Sequence, residues 1–98
     1  MSEVQALTLP EVLTMVEARA TLAALEAAIR AAPPPLVIDA SGLQALDTAA
    51  LAVLLQCQRL ARAAGHSLSV TGAPAKLVEL ARLYGAEDLL GLVPQQLH

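Results

Sequence analysis

The segment Leu36-Val-Ile-Asp-Ala-Ser-Gly-Leu43 does most to limit what this chain can become. Three aliphatic residues in a row, after a run of prolines, read as a strand buried on both faces, and Ser41-Gly42 breaks it in a polar turn. Shortly afterwards Leu46-Asp47-Thr48-Ala49-Ala50-Leu51 opens a long helical run to about Ala64, with Gly65 as its stop. The helix begins at Asp47 or Thr48, so its first turn presents a carboxylate and a hydroxyl. Unpaired backbone N–H groups and a partial positive charge gather at such a start. A hydroxyl there is a natural point of contact or modification.

Around this centre the chain alternates. Ala6 to Leu9 and Val12 to Val16 are short, partly β-branched runs about Pro10-Glu11, and predict a hairpin. Thr21 predicts the N-cap of a helix to about Ala31, on which Leu22, Leu25 and Ile29 recur at helical spacing. Glu26 and Arg30 stand four apart on it in the favourable order. Pro33-Pro34-Pro35 stops it, because proline lacks the donor and clashes with the preceding turn. Leu68 to Thr71 predict another strand, and Gly72-Ala73-Pro74 a turn, with Pro74 at the first position of a third helix. That helix runs to about Tyr84 and stops at Gly85, while Leu89 to Val93 fit either a short strand or a helical turn. Strands alternating with helices predict an α/β layer fold with a largely parallel centre.

Composition narrows the partners. A chain of 98 residues predicts one domain, and 56% hydrophobic residues without Phe or Trp require a core of Leu, Val, Ile and Ala. The net charge is −3 and the six basic residues are spread singly, which argues against nucleic acid. The lone Cys57 has no partner for an internal disulfide. The acidic N-terminus precedes no long apolar segment, so no signal peptide is expected. Ala49 to Leu55 is the longest apolar stretch, far short of the roughly 20 residues that span a bilayer. A reducing, cytoplasmic setting is the expectation.

Read at about 100° per residue, the helix after Thr48 turns Ala50, Val53, Leu54, Cys57, Leu60, Ala61 and Ala64 inward. Thr48, Ala52, Leu55, Gln56, Arg59 and Arg62 fall outside, with Leu51 at the border. Single exposed leucines are ordinary on any surface. The other reading of this stripe is a docking face, apolar at the helix start and basic toward its end. On the third helix Leu77, Leu80, Ala81 and Tyr84 form the expected core face, and Lys76, Glu79, Arg82 and Leu83 point away.

Candidate chemistry is sparse. Asp39 ends a strand and Asp47 starts a helix, so two carboxylates could approach a divalent cation, but no further ligand is in view. The preferred reading has Asp39 satisfying loop amides and Asp47 capping the helix. Ser41, Thr48, Cys57 and His66 form no nucleophile set, and Gly42 and Gly72 stand alone without a phosphate-cradling loop. No catalytic residue, metal site or cofactor is expected.

The ordered pair of segments from Leu36 to Leu51, with Leu68-Ser-Val-Thr-Gly-Ala-Pro and Leu77-Val-Glu-Leu-Ala-Arg-Leu-Tyr-Gly after it, resembles the STAS domain family from about Leu7 to Leu92. The resemblance implies an α/β fold with a mixed sheet of about four to five strands packed with about three to four helices. It implies a single STAS domain over residues 1–98, with a core of about 6–93. In the anti-sigma antagonist branch the motif reads Asp-Ser-Ser-Gly-Leu and a kinase phosphorylates the second hydroxyl residue. Here that position is Ala49, the glycine is replaced by Ala50, and only the first hydroxyl is kept, as Thr48. The pattern is more similar to the MlaB-type branch, the small cytoplasmic STAS subunit of the Mla phospholipid-transport ABC system. That implies a non-catalytic subunit, peripheral to the inner membrane, which binds the transporter's ATPase and supports maintenance of outer-membrane lipid asymmetry. Thr48, Leu51, Ala52, Leu55, Arg59 and Asp47 become the implied contact residues, and the docking reading of the stripe rises above the ordinary one. The alternative is an anti-sigma factor antagonist whose partner is an anti-sigma kinase, with Thr48 as the phosphorylated residue.

Overall fold

Proline, glycine and side-chain caps divide the chain into eight short elements in the computed structural model, which describes residues 6–31 and 35–86. They run β1 (Ala6–Thr8), β2 (Val12–Leu13), α1 (Met15–Ala31), β3 (Leu36–Asp39), β4 (Ala45–Leu46), α2 (Thr48–Ala63), β5 (Leu68–Thr71) and α3 (Ala75–Leu83). All strand pairing among the described residues is parallel. One sheet has the order β1-β3-β5 and a second pairs β2 with β4. Parallel neighbours need crossovers, and the helices supply them. The expected mixed α/β architecture of three helices and five strands is present.

In β3 and β5 the registers Leu36↔Leu68 and Ile38↔Val70 set four buried aliphatic side chains on one face. The intervening Val37, Asp39, Ser69 and Thr71 are half-buried, so β3 alternates rather than being buried on both faces. Leu25 and Ile29 of α1 and Ala50, Leu54, Cys57 and Ala61 of α2 join the same cluster, with Leu77 and Ala81 of α3. Removing this much aliphatic surface from water is the main stabilising term, at about 25 cal/mol per Å².

The hairpin expected over residues 6–9 and 12–16 does not form. β1 and β2 never pair; each finds a partner beyond α1, in β3 and β4 respectively. Leu9 N–H donates to the Asp39 carbonyl at 3.0 Å, which continues the β1–β3 ladder, while Gln44 and Ala45 donate to the Glu11 carbonyl at 2.8 and 3.0 Å. Pro10 thus carries the chain from one sheet to the other. Helix α1 also starts six residues before Thr21, which lies inside it. The cause is Thr14-Met-Val-Glu17, a reciprocal cap: Glu17 Oε1 accepts from the Thr14 backbone N–H at 2.9 Å and its hydroxyl at 2.6 Å, while Thr14 Oγ1 accepts from Val16 N–H at 3.3 Å.

Both later helices end in the same way. Gly65 (φ 80°) and Gly85 (φ 66°) take the left-handed conformation, with His66 N–H donating to Ala61 and Ala86 N–H to Ala81. Pro74 stands just before α3 as its extended cap residue rather than at its first helical position. Tyr84, expected in the core, is 60% exposed: it follows the last helical residue, so helical spacing no longer directs it inward. The expected element at 89–93 lies outside the described residues.

Candidate partner-binding site

Two carboxylates flank the β3–α2 connection, and each is used locally. Asp39 Oδ1 accepts from Ser41 N–H at 2.9 Å, and Ser41's side chain and backbone together hold the carboxyl below its ordinary value. Asp47, in extended backbone conformation, caps α2 by accepting from Ala49 N–H at 2.8 Å. Its other oxygen accepts from Met15 N–H at 3.2 Å. Among the described residues no group of three or more His, Cys, Asp or Glu side chains could hold a metal.

Because one carboxylate serves both, the N-termini of α1 and α2 lie side by side. Met15 and Val16 are 78% and 86% exposed there, next to exposed Thr48. The reading of 12–16 as a strand hid these two residues, although the Thr14–Glu17 cap signals them. From this point a groove of about 390 Å³ runs between the helices, walled by Ala18 and Leu22 on one side and Ala49, Ala52 and Val53 on the other. Small residues on α2 keep it open and apolar.

Of the expected contact residues, Thr48, Ala52 and Arg59 are exposed on one outward strip of α2. Asp47 is half-buried behind them as the cap, and Leu55 is half-buried with one side against the core. Leu51 is corrected: at 5% exposure it belongs to the core and offers no contact surface. Gln58 is likewise buried, donating from Nε2 to the Leu68 carbonyl at 3.3 Å. The reason is shared. α2 meets α1, α3 and β5, so its buried arc is wider than that of a helix covered on one side.

Cys57 is fully buried, and burial pushes its thiol from 9.0 up to about 11, with Glu26 adding a smaller repulsion. It is a small core residue and not a nucleophile.

The parallel α/β architecture, with a capped helix start facing outward beyond β3, is that of a STAS domain. A solved anti-sigma-factor antagonist (STAS) domain protein from Planctomyces limnophilus superposes with a TM-score of 0.78. The likeness covers 95% of this chain and 84% of that one at 14% identity, and so establishes the fold alone. The family model described as "Mlab, STAS domain" matches residues 1–94, and the chain belongs to that family of MlaB-type STAS domains. No curated protein matches the chain. STAS domains are generally non-catalytic and act through protein–protein interaction.

Proposed function

We propose that this chain is a non-catalytic subunit that binds the ATPase of a phospholipid-transport ABC system through the start of α2. In that role it supports the transporter's assembly and activity on the cytoplasmic side of the inner membrane, and hence outer-membrane lipid asymmetry. Membership of the MlaB-type family supports the reading. One observation carries it. Asp47 does the capping, so the exposed Thr48 hydroxyl is not needed by its own helix and has no hydrogen-bond partner among the described residues. The contact surface is Thr48, Ala52, the outer edge of Leu55, and Arg59, held in place by Asp47.

Co-purification with the ATPase tests the surface. Leu55→Glu is an ambiguous probe, because Leu55 also packs on the core. Ala52→Glu is cleaner: Ala52 is exposed, and a carboxylate forced into an apolar contact costs on the order of several kcal/mol. A folded Ala52→Glu variant recovered at wild-type yield would refute this face.

The second reading is a phospho-regulated anti-sigma factor antagonist, and the same exposed hydroxyl favours it. A phosphate on Thr48 would bring roughly two negative charges to a helix start already occupied by Asp47. It ranks lower because Ala49 stands where that branch carries its phosphate. Stoichiometric phospho-Thr48 in protein from native cells would promote it.

A further inference from the structure

Two turns beyond Ala52 the outward strip changes chemistry. Arg59 and Arg62, both exposed and three residues apart on α2, border a groove of about 260 Å³ with Leu55 and Gln58. Arg30 is answered by Glu26 at 2.8 Å, but neither of these guanidinium groups meets a carboxylate among the described residues. Like charges at this helical spacing repel, in a chain that is otherwise acidic at net −3. Gln58, 8% exposed, has its Nε2 tied to the Leu68 carbonyl, and its Oε1 accepts nothing among the described residues. The groove therefore offers two planar cations, one unused acceptor and an aliphatic wall.

We propose that this groove seats an acidic segment of the partner protein, with an Asp or Glu carboxylate held between Arg59 and Arg62. The guanidinium fork matches a carboxylate in two-point geometry, Leu55 meets the segment's methylenes, and a neighbouring N–H donates to Gln58 Oε1. The proposal rests on the docking reading of α2 and supplies the partner's chemistry: small and apolar against Ala52, acidic against the far end. A membrane surface fits less well. Polybasic lipid-binding segments gather roughly four to eight cations, and this groove has two on an acidic protein.

The test titrates the full chain against its cognate ABC-transporter ATPase by calorimetry at low and high salt. The double variant Arg59→Gln, Arg62→Gln should bind about tenfold more weakly and lose most of the salt dependence, with circular dichroism confirming its fold. The double Lys variant should regain the salt dependence and part of the affinity. Wild-type affinity in the Gln variant overturns this proposal and leaves the docking reading standing, and so does weaker binding with unchanged salt dependence. Absence of binding by the wild type overturns both. Sedimentation with phosphatidylglycerol vesicles completes the test: retention that the Gln variant loses would assign the arginines to lipid and overturn the protein occupant.

Discussion

Asp47 and Met15, 32 residues apart, are joined through one carboxylate: Oδ2 accepts from the Met15 N–H at 3.2 Å while Oδ1 caps α2 through Ala49 at 2.8 Å. One side chain thus caps α2 and adds an acceptor at the start of α1, whose own cap is the Thr14–Glu17 pair, and it ties the two helix starts together.

Asp47→Ala is therefore expected to lower stability by about 1–3 kcal/mol, more than an ordinary cap deletion, because donors on two helices lose their acceptor. Asp47→Asn, a good cap with one oxygen, should fall between Ala and wild type. Urea midpoints of the three proteins check the order.

Glu17 and Asp39 make stability depend on acid. Thr14's side chain and then its backbone hold the Glu17 carboxyl below its ordinary 4.5, and Ser41 holds Asp39 below 3.8. Each folded value lies below the unfolded one. The contributions are fully present above those ordinary values and disappear as pH falls through the lowered ones. Denaturant midpoints between pH 6 and pH 2 should drop, and Glu17→Gln should flatten part of that drop.

Gly72 is the least replaceable turn. It has φ 67°, and a Cβ there would stand 2.8 Å from the Ser41 Cβ, whereas Gly65 (φ 80°) has open space around it. Gly65→Ala should cost about 1–2 kcal/mol for the left-handed backbone alone. Gly72→Ala should cost more, since the β3 and β5 ends must part. A smaller loss for Gly72→Ala in thermal melts would contradict the contact.

Cys57 should resist thiol reagents in the native protein and react only through unfolding, as its burial and its pKa of about 11 require. The folded value exceeds the unfolded 9.0, so the native state keeps its proton longer and stability should decline as pH rises from 9 toward 11. Labelling rates with and without urea, and midpoints at pH 8 and pH 10, measure both effects.

The elements with local terminators were legible in the sequence. Strand β5 falls at the expected residues, α2 within a residue of its expected ends, and the Glu26–Arg30 pair is made at 2.8 Å. What spacing could not supply was pairing. β1 and β2 each join a strand across α1, and the two-residue β4 has no pattern of its own. The Thr14–Glu17 cap was present in the sequence and outranks Thr21, because Glu17 accepts from the Thr14 N–H while the Thr14 hydroxyl accepts from the Val16 N–H. On α2, the exposure of Thr48, Ala52 and Arg59 follows from helical angle alone. Leu51 and Gln58 do not, because their burial depends on neighbours to either side of α2.

Thr48→Ala should leave the melting temperature within a few degrees of wild type, because the cap is Asp47 and Ala is an excellent helix former. Binding to the ATPase should weaken by about tenfold, as an interface partner loses its hydrogen bond. Thr48→Ser should bind nearly as wild type. A variant that melts far below wild type while its folded fraction binds normally would make Thr48 structural.

The exposed Tyr84 has a practical consequence. With no Trp or Phe in the chain, it is the sole aromatic chromophore, and it sits in water at the end of α3 instead of in the core. Ultraviolet fluorescence is consequently almost blind to the collapse of this protein, and melts must be followed by backbone signals. The same silence is useful on association: tryptophan emission from a partner would be recorded against an empty background, so its change on mixing reports the encounter without any label.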